Sequence, residues 1–199
     1  QLKQMHKPII FAYFDNWLNR QIKDKKLFEY LMKKSNYIWS ISNDMSKYLI
    51  KKYDLKKFIV IQNSISHNFK NFKKKKNSKI LIRYSGSLLK NMNFDVIRFF
   101  SKLNVPNCKF EINTKFSFTG ISSSVITNNY FGNYLDYLNW IKSADILLLG
   151  YNFDKLSFNY TKFSFANKLP EYLSTNNGII YIGPTNTPTY KFLHQHKIG

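Results

Sequence analysis

Lys168 and Glu171 stand three positions apart in TKFSFANKLPEYLSTNNGIIYIGP, residues 161–184, and are the side chains best placed to do chemistry. The spacing predicts a loop, a short helix opening near Asn167, and a buried strand over residues 179–182. Asn167 is a favoured N-cap, and Pro170 then falls in the first turn, where a missing N–H breaks no intrahelical bond. In that register Lys168 and Glu171 share one face, while Leu169, Tyr172 and Leu173 form the apolar stripe that seats the helix on a sheet. A helix amino end with a lysine in its first turn and a carboxylate one turn further suits a nucleoside diphosphate. Amides and ammonium meet phosphate oxygens, and the carboxylate accepts from ribose hydroxyls. The same two residues also fit an ordinary solvated ion pair.

The elements that must carry this pair alternate. KPIIFAYFDNW, residues 7–17, has the continuous apolar run of a buried parallel strand. An apolar helical pattern at Leu27, Phe28, Tyr30, Leu31 and Met32 follows, then a strand over residues 37–41. Ser42 or Asn43 caps a helix bearing Met45, Tyr48 and Leu49, and a third strand covers residues 58–63. Four consecutive lysines mark residues 66–78 as a linker, because like charges repel and stay in solvent. A new unit opens at Lys79 with a strand, a turn at Gly86, and a helix whose Val96, Ile97, Phe99, Phe100 and Leu103 are expected to face inward. Strand, glycine and helix in that order deliver backbone amides to a phosphate at a sheet's carboxyl edge. A strand at residues 109–116 comes next, then an unassigned polar loop to residue 129. A helix with Leu135, Leu138 and Ile141 inward leads to a buried strand at residues 146–149 and a loop over residues 151–160. TYKFLHQH after Pro184 starts a last helix. Such alternation requires right-handed crossovers, and so an α/β fold of two Rossmann-like units with parallel sheets flanked by helices.

A formal charge of +20 over 199 residues raises nucleic acid as a partner. Of the 31 basic residues, however, only Arg20, Arg83 and Arg98 are arginine, the side chain that reads bases and phosphates bidentately. No aromatic residue interleaves with the lysine run to stack bases. The expectation is therefore no nucleic acid, with a surface drawn to sugar nucleotides and to anionic lipid. Cys108 is the single cysteine, so no intrachain disulfide forms and a reducing compartment fits. No apolar run reaches the length of a membrane span. His194 and His196 form an H-x-H without further ligands nearby, so no metal is expected. G-x-S-x-G, H-E-x-x-H and G-x-G-x-x-G are absent. Opening on Gln1 and not Met, the chain is read as a piece of a longer protein.

Ser164, Asn167, Lys168, Glu171, Tyr172 and Leu173, followed by Ile179, Ile180 and the Gly183–Pro184 pair, resemble the donor segment of GT-B glycosyltransferases of the group 1 (family 4) type. The family pattern runs roughly S-x-P-x-K-x-x-E-Y-L-A-x-G-x-P-V-I. Ala166 stands where the family often has Pro, Gly178 where it has Pro, and Asn176 replaces the helix-terminating Gly, a position where Asn also accepts the left-handed cap. Phe163 occupies the place of the first glutamate found in commoner members. Upstream, Asn63 and Phe69 match the element leading out of the family's N-terminal domain, and Gly132 with Ala144 and Asp145 fits a pattern in its C-terminal domain.

The resemblance implies both domains, each incomplete: residues 1–65 as the second half of the N-terminal domain, 66–78 as the linker, and 79–199 as most of the donor domain. It implies a hexosyl-type transferase moving sugar from a nucleotide diphosphate sugar to an acceptor hydroxyl, saccharide or lipid-linked, in cell-surface polysaccharide or glycolipid synthesis. The implied setting is cytoplasmic, peripheral to the membrane. Gly86, Lys90, Ser164, Asn167, Lys168 and Glu171 are the implied donor-binding residues, with the catalytic residue unassigned and no cofactor required. A GT-B-type sugar-nucleotide epimerase, needing carboxylates in the cleft, and a basic nucleic-acid-binding module are the alternatives.

Overall fold

The computed structural model describes residues 10–13, 25–55, 58–65, 78–115, 120–121, 125 and 131–198. The lysine run and Phe69, the flanks of the first expected strand at residues 7–9 and 14–17, and most of the loop at residues 116–129 lie outside the described residues.

Two all-parallel sheets are formed. β1 (Ile10–Tyr13), α1 (Lys25–Lys34), β2 (Tyr37–Ser40), α2 (Asn43–Tyr53) and β3 (Phe58–Val60) make the first, with strand order β1-β2-β3. The second comprises β4 (Ile80–Ser85), α3 (Phe94–Ser101), β5 (Cys108–Asn113), α4 (Tyr134–Lys142), β6 (Ile146–Gly150), α5 (Lys155–Thr161), α6 (Leu169–Ser174), β7 (Gly178–Ile182) and α7 (Pro188–Gln195). Its strand order is β5-β4-β6-β7. The winding reverses beside β4, and open α/β sheets hold ligands at the carboxyl ends of strands next to such a reversal.

Caps explain several boundaries. Ser42 Oγ accepts from the Met45 N–H at 3.2 Å and so starts α2. Asn176 takes the left-handed conformation, φ 59°, just past the end of α6, as its type permits. Three expectations fail. The loop expected over residues 151–160 contains α5, which Asp154 caps through the Leu156 and Ser157 amides. Phe99 on α3, Leu103 just beyond its end, and Leu135 on α4 are exposed, at 64%, 43% and 51%. Phe99 and Leu135 each lie two residues from a buried neighbour, Ile97 and Tyr137, which is roughly 200° around the helix. The third strand closes at Val60, and the strand expected over residues 109–116 closes at Asn113, both earlier than expected.

A single apolar cluster joins the two sheets, containing Met45 and Leu49 from α2 together with Leu138, Leu169, Tyr172 and Leu193. Polar ties run alongside it. Ser42 Oγ donates to the Phe163 carbonyl at 2.8 Å, and Lys191 pairs with Asp44 at 2.6 Å. Phe163 lies against Tyr48, ring centroids 4.8 Å apart.

Candidate functional site

The carboxyl end of β4 turns at Gly86, whose φ of 145° and N–H donation to the Asn113 carbonyl at 3.0 Å bring the backbone across to β5. A Cβ there would stand 3.1 Å from the Tyr84 hydroxyl, so the turn requires glycine. Asn93, 2% exposed, holds the following loop together. Its Oδ1 accepts from Leu89 N–H at 2.9 Å, and its Nδ2 donates to Tyr84 Oη and the Ser87 carbonyl. Asn152, at the end of β6, accepts from the Asp95 and Val96 amides at 3.1 and 3.2 Å and donates to the Lys90 carbonyl at 2.9 Å. The opening amides of α3, expected to meet a phosphate, are thus already committed.

α6 is fixed from inside. Tyr172 is fully buried, and its hydroxyl accepts from the Ser85 N–H at 3.1 Å, tying the helix to the end of β4. The helix begins at Leu169 with Lys168 as its N-cap residue, so the cap expected at Asn167 is corrected. An Asn167 cap would need the amide of Leu169 or of residue 170. Leu169 N–H already donates to the Ala166 carbonyl at 2.9 Å, and Pro170 has none. With that amide spent and residue 170 lacking one, the Lys168 ammonium is the positive charge at this end.

Together these elements enclose a pocket of about 570 Å³. Ser85, Gly86 and Ser87 line it from β4; Asn113, Thr114 and Lys115 from β5; Phe131, Gly132, Tyr134 and Tyr137 from the start of α4; and Lys168 from the entry to α6. Two lysines and no carboxylate stand among these residues, so the pocket favours an anion. Lys168 Nζ lies 4.5 Å from the Tyr137 ring centroid and 3.5 Å from Glu171 Oε2. Glu171 sits behind the phenols. Its Oε1 accepts from Tyr134 at 3.0 Å and its Oε2 from Tyr137 at 2.7 Å. Burial, with the adjacent Glu171 charge, pushes Tyr134 up to about 12. Burial, with Tyr172 and Glu171 adding to it, pushes Tyr137 far above the usual phenol range. Both phenols consequently remain donors. Thr114, a lining residue, is 5% exposed, and its hydroxyl is buried with no hydrogen-bond partner.

Of the sequence-predicted residues, Gly86 and Lys168 line the pocket, and Glu171 backs it through the two tyrosines. Lys90 is not among the lining residues, and its side chain is exposed. Ser164 serves its own segment, donating to the Tyr160 carbonyl at 3.2 Å. Asn167 Oδ1 accepts from Asn63 Nδ2 at 2.9 Å, bridging the loops that follow β3 and precede α6. Thr114, Lys115, Tyr134 and Tyr137 were missed. A Thr-Lys step at a strand's carboxyl end and two tyrosines three apart at a helix start are signals that could have found them. Among the described residues no group of three His, Cys, Asp or Glu side chains is placed to hold a metal, and no helix is long and apolar enough to cross a membrane.

No protein-family model matches the sequence, and no curated protein matches it either. Solved structures do match in shape. A glycosyltransferase from Rickettsia africae ESF-5 superposes with a TM-score of 0.60 at 13% identity, covering 98% of this chain and 62% of that one. TarM superposes with a TM-score of 0.57 at 11% identity, covering 80% of this chain and 32% of TarM. This chain therefore spans less than two thirds of either structure. At such identities the likeness shows the fold: α/β, with parallel sheets flanked by helices.

Proposed function

We propose that the chain is the donor-binding part of a glycosyltransferase that moves a hexosyl group from a nucleotide diphosphate sugar to an acceptor hydroxyl. The carrying observation is the pocket at the ends of β4 and β5, where Lys115 and Lys168 meet an aromatic wall with no carboxylate among the lining residues. The fold shared with the Rickettsia africae glycosyltransferase supports the reading. In the transfer, the bond from the anomeric carbon to the acceptor oxygen forms as the bond to the diphosphate oxygen breaks. Charge builds on the leaving diphosphate, and Lys168 and Lys115 offset it from fixed positions, which is where preorganised charge does most for such a reaction. No metal is assigned in this scheme, because the lysines take the cation's place. Gly86 lets the backbone approach the phosphates, and Glu171 orients the ribose. The acceptor is a saccharide or lipid-linked sugar of cell-surface polysaccharide or glycolipid synthesis, met at the cytoplasmic face of a membrane that the +20 charge draws close. An epimerase would need acid and base carboxylates in the cleft, and the lining supplies none.

Calorimetric titration of the chain and of Lys168→Ala with UDP, GDP and duplex DNA tests this. Expected is nucleoside diphosphate binding that weakens about 10- to 100-fold in the variant, the range for a charge-assisted hydrogen bond. DNA binding unchanged by the substitution, with no nucleotide bound, would instead establish a basic nucleic-acid module. Sedimentation with anionic vesicles no better than with neutral ones removes the membrane part of the proposal.

A further inference from the structure

Glu171 does not open directly onto the pocket: the two phenols that do, Tyr134 and Tyr137, occupy one carboxylate oxygen each. Each carboxylate oxygen can accept a second bond, but the phenols stand between Glu171 and the pocket, so a ribose diol reaching it from there meets one of them first. The two tyrosines differ in how firmly they are kept. Tyr137 is 7% exposed, its ring supports Lys168 at 4.5 Å, and Phe131 packs on it with ring centroids 6.1 Å apart. Tyr134 is the first residue of α4, is 47% exposed, and bonds Oε1 on the open side. Turning Tyr134 outward gives up its bond to Glu171 and a ring contact with Tyr137, centroids 5.9 Å apart, on a residue already half in water, whereas moving Tyr137 would uncover a buried ring and unseat Lys168.

We infer that Tyr134 is a latch on Glu171 that a ribose diol displaces, and that Tyr137 is the positioning residue that keeps the carboxylate and Lys168 aimed at the pocket. The inference rests on the nucleotide reading given above. Its signature is a pair of opposite effects from one change, phenol to phenyl, at two positions three residues apart. At Tyr134 the change removes the bond that holds the ring across Oε1. At Tyr137 it frees the carboxylate to swing and strips a donor from Oε2. The raised Tyr134 pKa agrees, since the latch remains a neutral donor at physiological pH.

Calorimetry on the full chain with UDP, GDP and their 2′,3′-dideoxy forms provides the test. Tyr134→Phe is expected to bind the ribonucleotide about three- to tenfold more tightly, the size of one partly solvated hydrogen bond to a charged group. Its affinity for the dideoxy form should be unchanged. Tyr137→Phe is expected to weaken the ribonucleotide about tenfold, and Glu171→Gln to shrink the preference for ribose over dideoxyribose. Equal or weaker ribonucleotide binding by Tyr134→Phe overturns the latch while leaving the nucleotide reading standing. An equal gain for the dideoxy form also overturns it, since the substitution would then merely widen the pocket. Absence of nucleotide binding by both the unaltered chain and Tyr134→Phe overturns the nucleotide reading and the latch together. Should Tyr137→Phe lose its near-UV circular dichroism, the Tyr134 arm, on an exposed residue, decides alone.

Discussion

Replacing Tyr172 by Phe removes one oxygen from the interior and tests how α6 is held. The ring is fully buried, and its hydroxyl accepts from the Ser85 N–H at 3.1 Å. Ser85, 4% exposed, ends β4 beyond the reach of β6, which pairs only with Ile82 and Arg83. The phenyl variant keeps the packing but strands that amide without water. A buried donor left unsatisfied costs about 1–3 kcal/mol, and the contacts of the ring itself are retained. With a urea dependence of about 2 kcal/mol per molar, a 2 kcal/mol loss lowers the midpoint by roughly 1 M. Urea unfolding followed by tryptophan fluorescence reads this, and the slope should stay the same. A midpoint within about 0.2 M of the unaltered chain would show that this bond does not carry α6 on β4, and the placement of Lys168 opposite Gly86 would need another cause.

Thr114→Val exchanges an orphaned buried hydroxyl for a methyl of similar volume, so it should raise stability by up to about 1 kcal/mol while weakening nucleotide binding; a destabilised variant with unaltered binding would count against a ligand partner for that hydroxyl. Alkali gives a further check. Burial pushes Tyr151 up to about 12, and Tyr84, Tyr172 and Tyr181 are also raised by burial above the ordinary 10.0. A raised phenol pKa means the folded chain holds the proton more tightly. This part of the stability is full below about pH 10 and drains away as the pH climbs through about 12. Urea midpoints should therefore fall between about pH 9 and about pH 11.5, and midpoints that stay level would show those phenols ionising freely in the folded state.

Much of the architecture is legible because apolar runs and caps act locally. ILIRYS and ILLLG are strands buried on both faces, Ser42 starts α2, and Asn176 ends α6 in the conformation its side chain tolerates. What escaped reading depends on partners distant in sequence. Asn167 looks like a cap until the Leu169 amide proves to be spent on Ala166, and its side chain instead meets Asn63 across 104 residues. Asn152 quiets the start of α3 from 56 residues away, which no local pattern announces. The inward face of α4 was expected at Leu135, Leu138 and Ile141; Leu138 and Ile141 are buried, but Tyr137 shares that face with them and Leu135 points out. Tyr134 and Tyr137 in the pocket wall were invisible for the same reason: tyrosines serve as both packing and chemistry, and periodicity alone does not say which.

The cluster that runs from Met45 and Leu49 through Leu169 to Leu193 has a bearing on how the molecule comes apart. Each half shields grease belonging to the other, so heating should melt both sheets in a single step. Expressing either portion by itself would bare a sticky flank and invite clumping. Any dissection of this protein into halves is best made with that flank in mind.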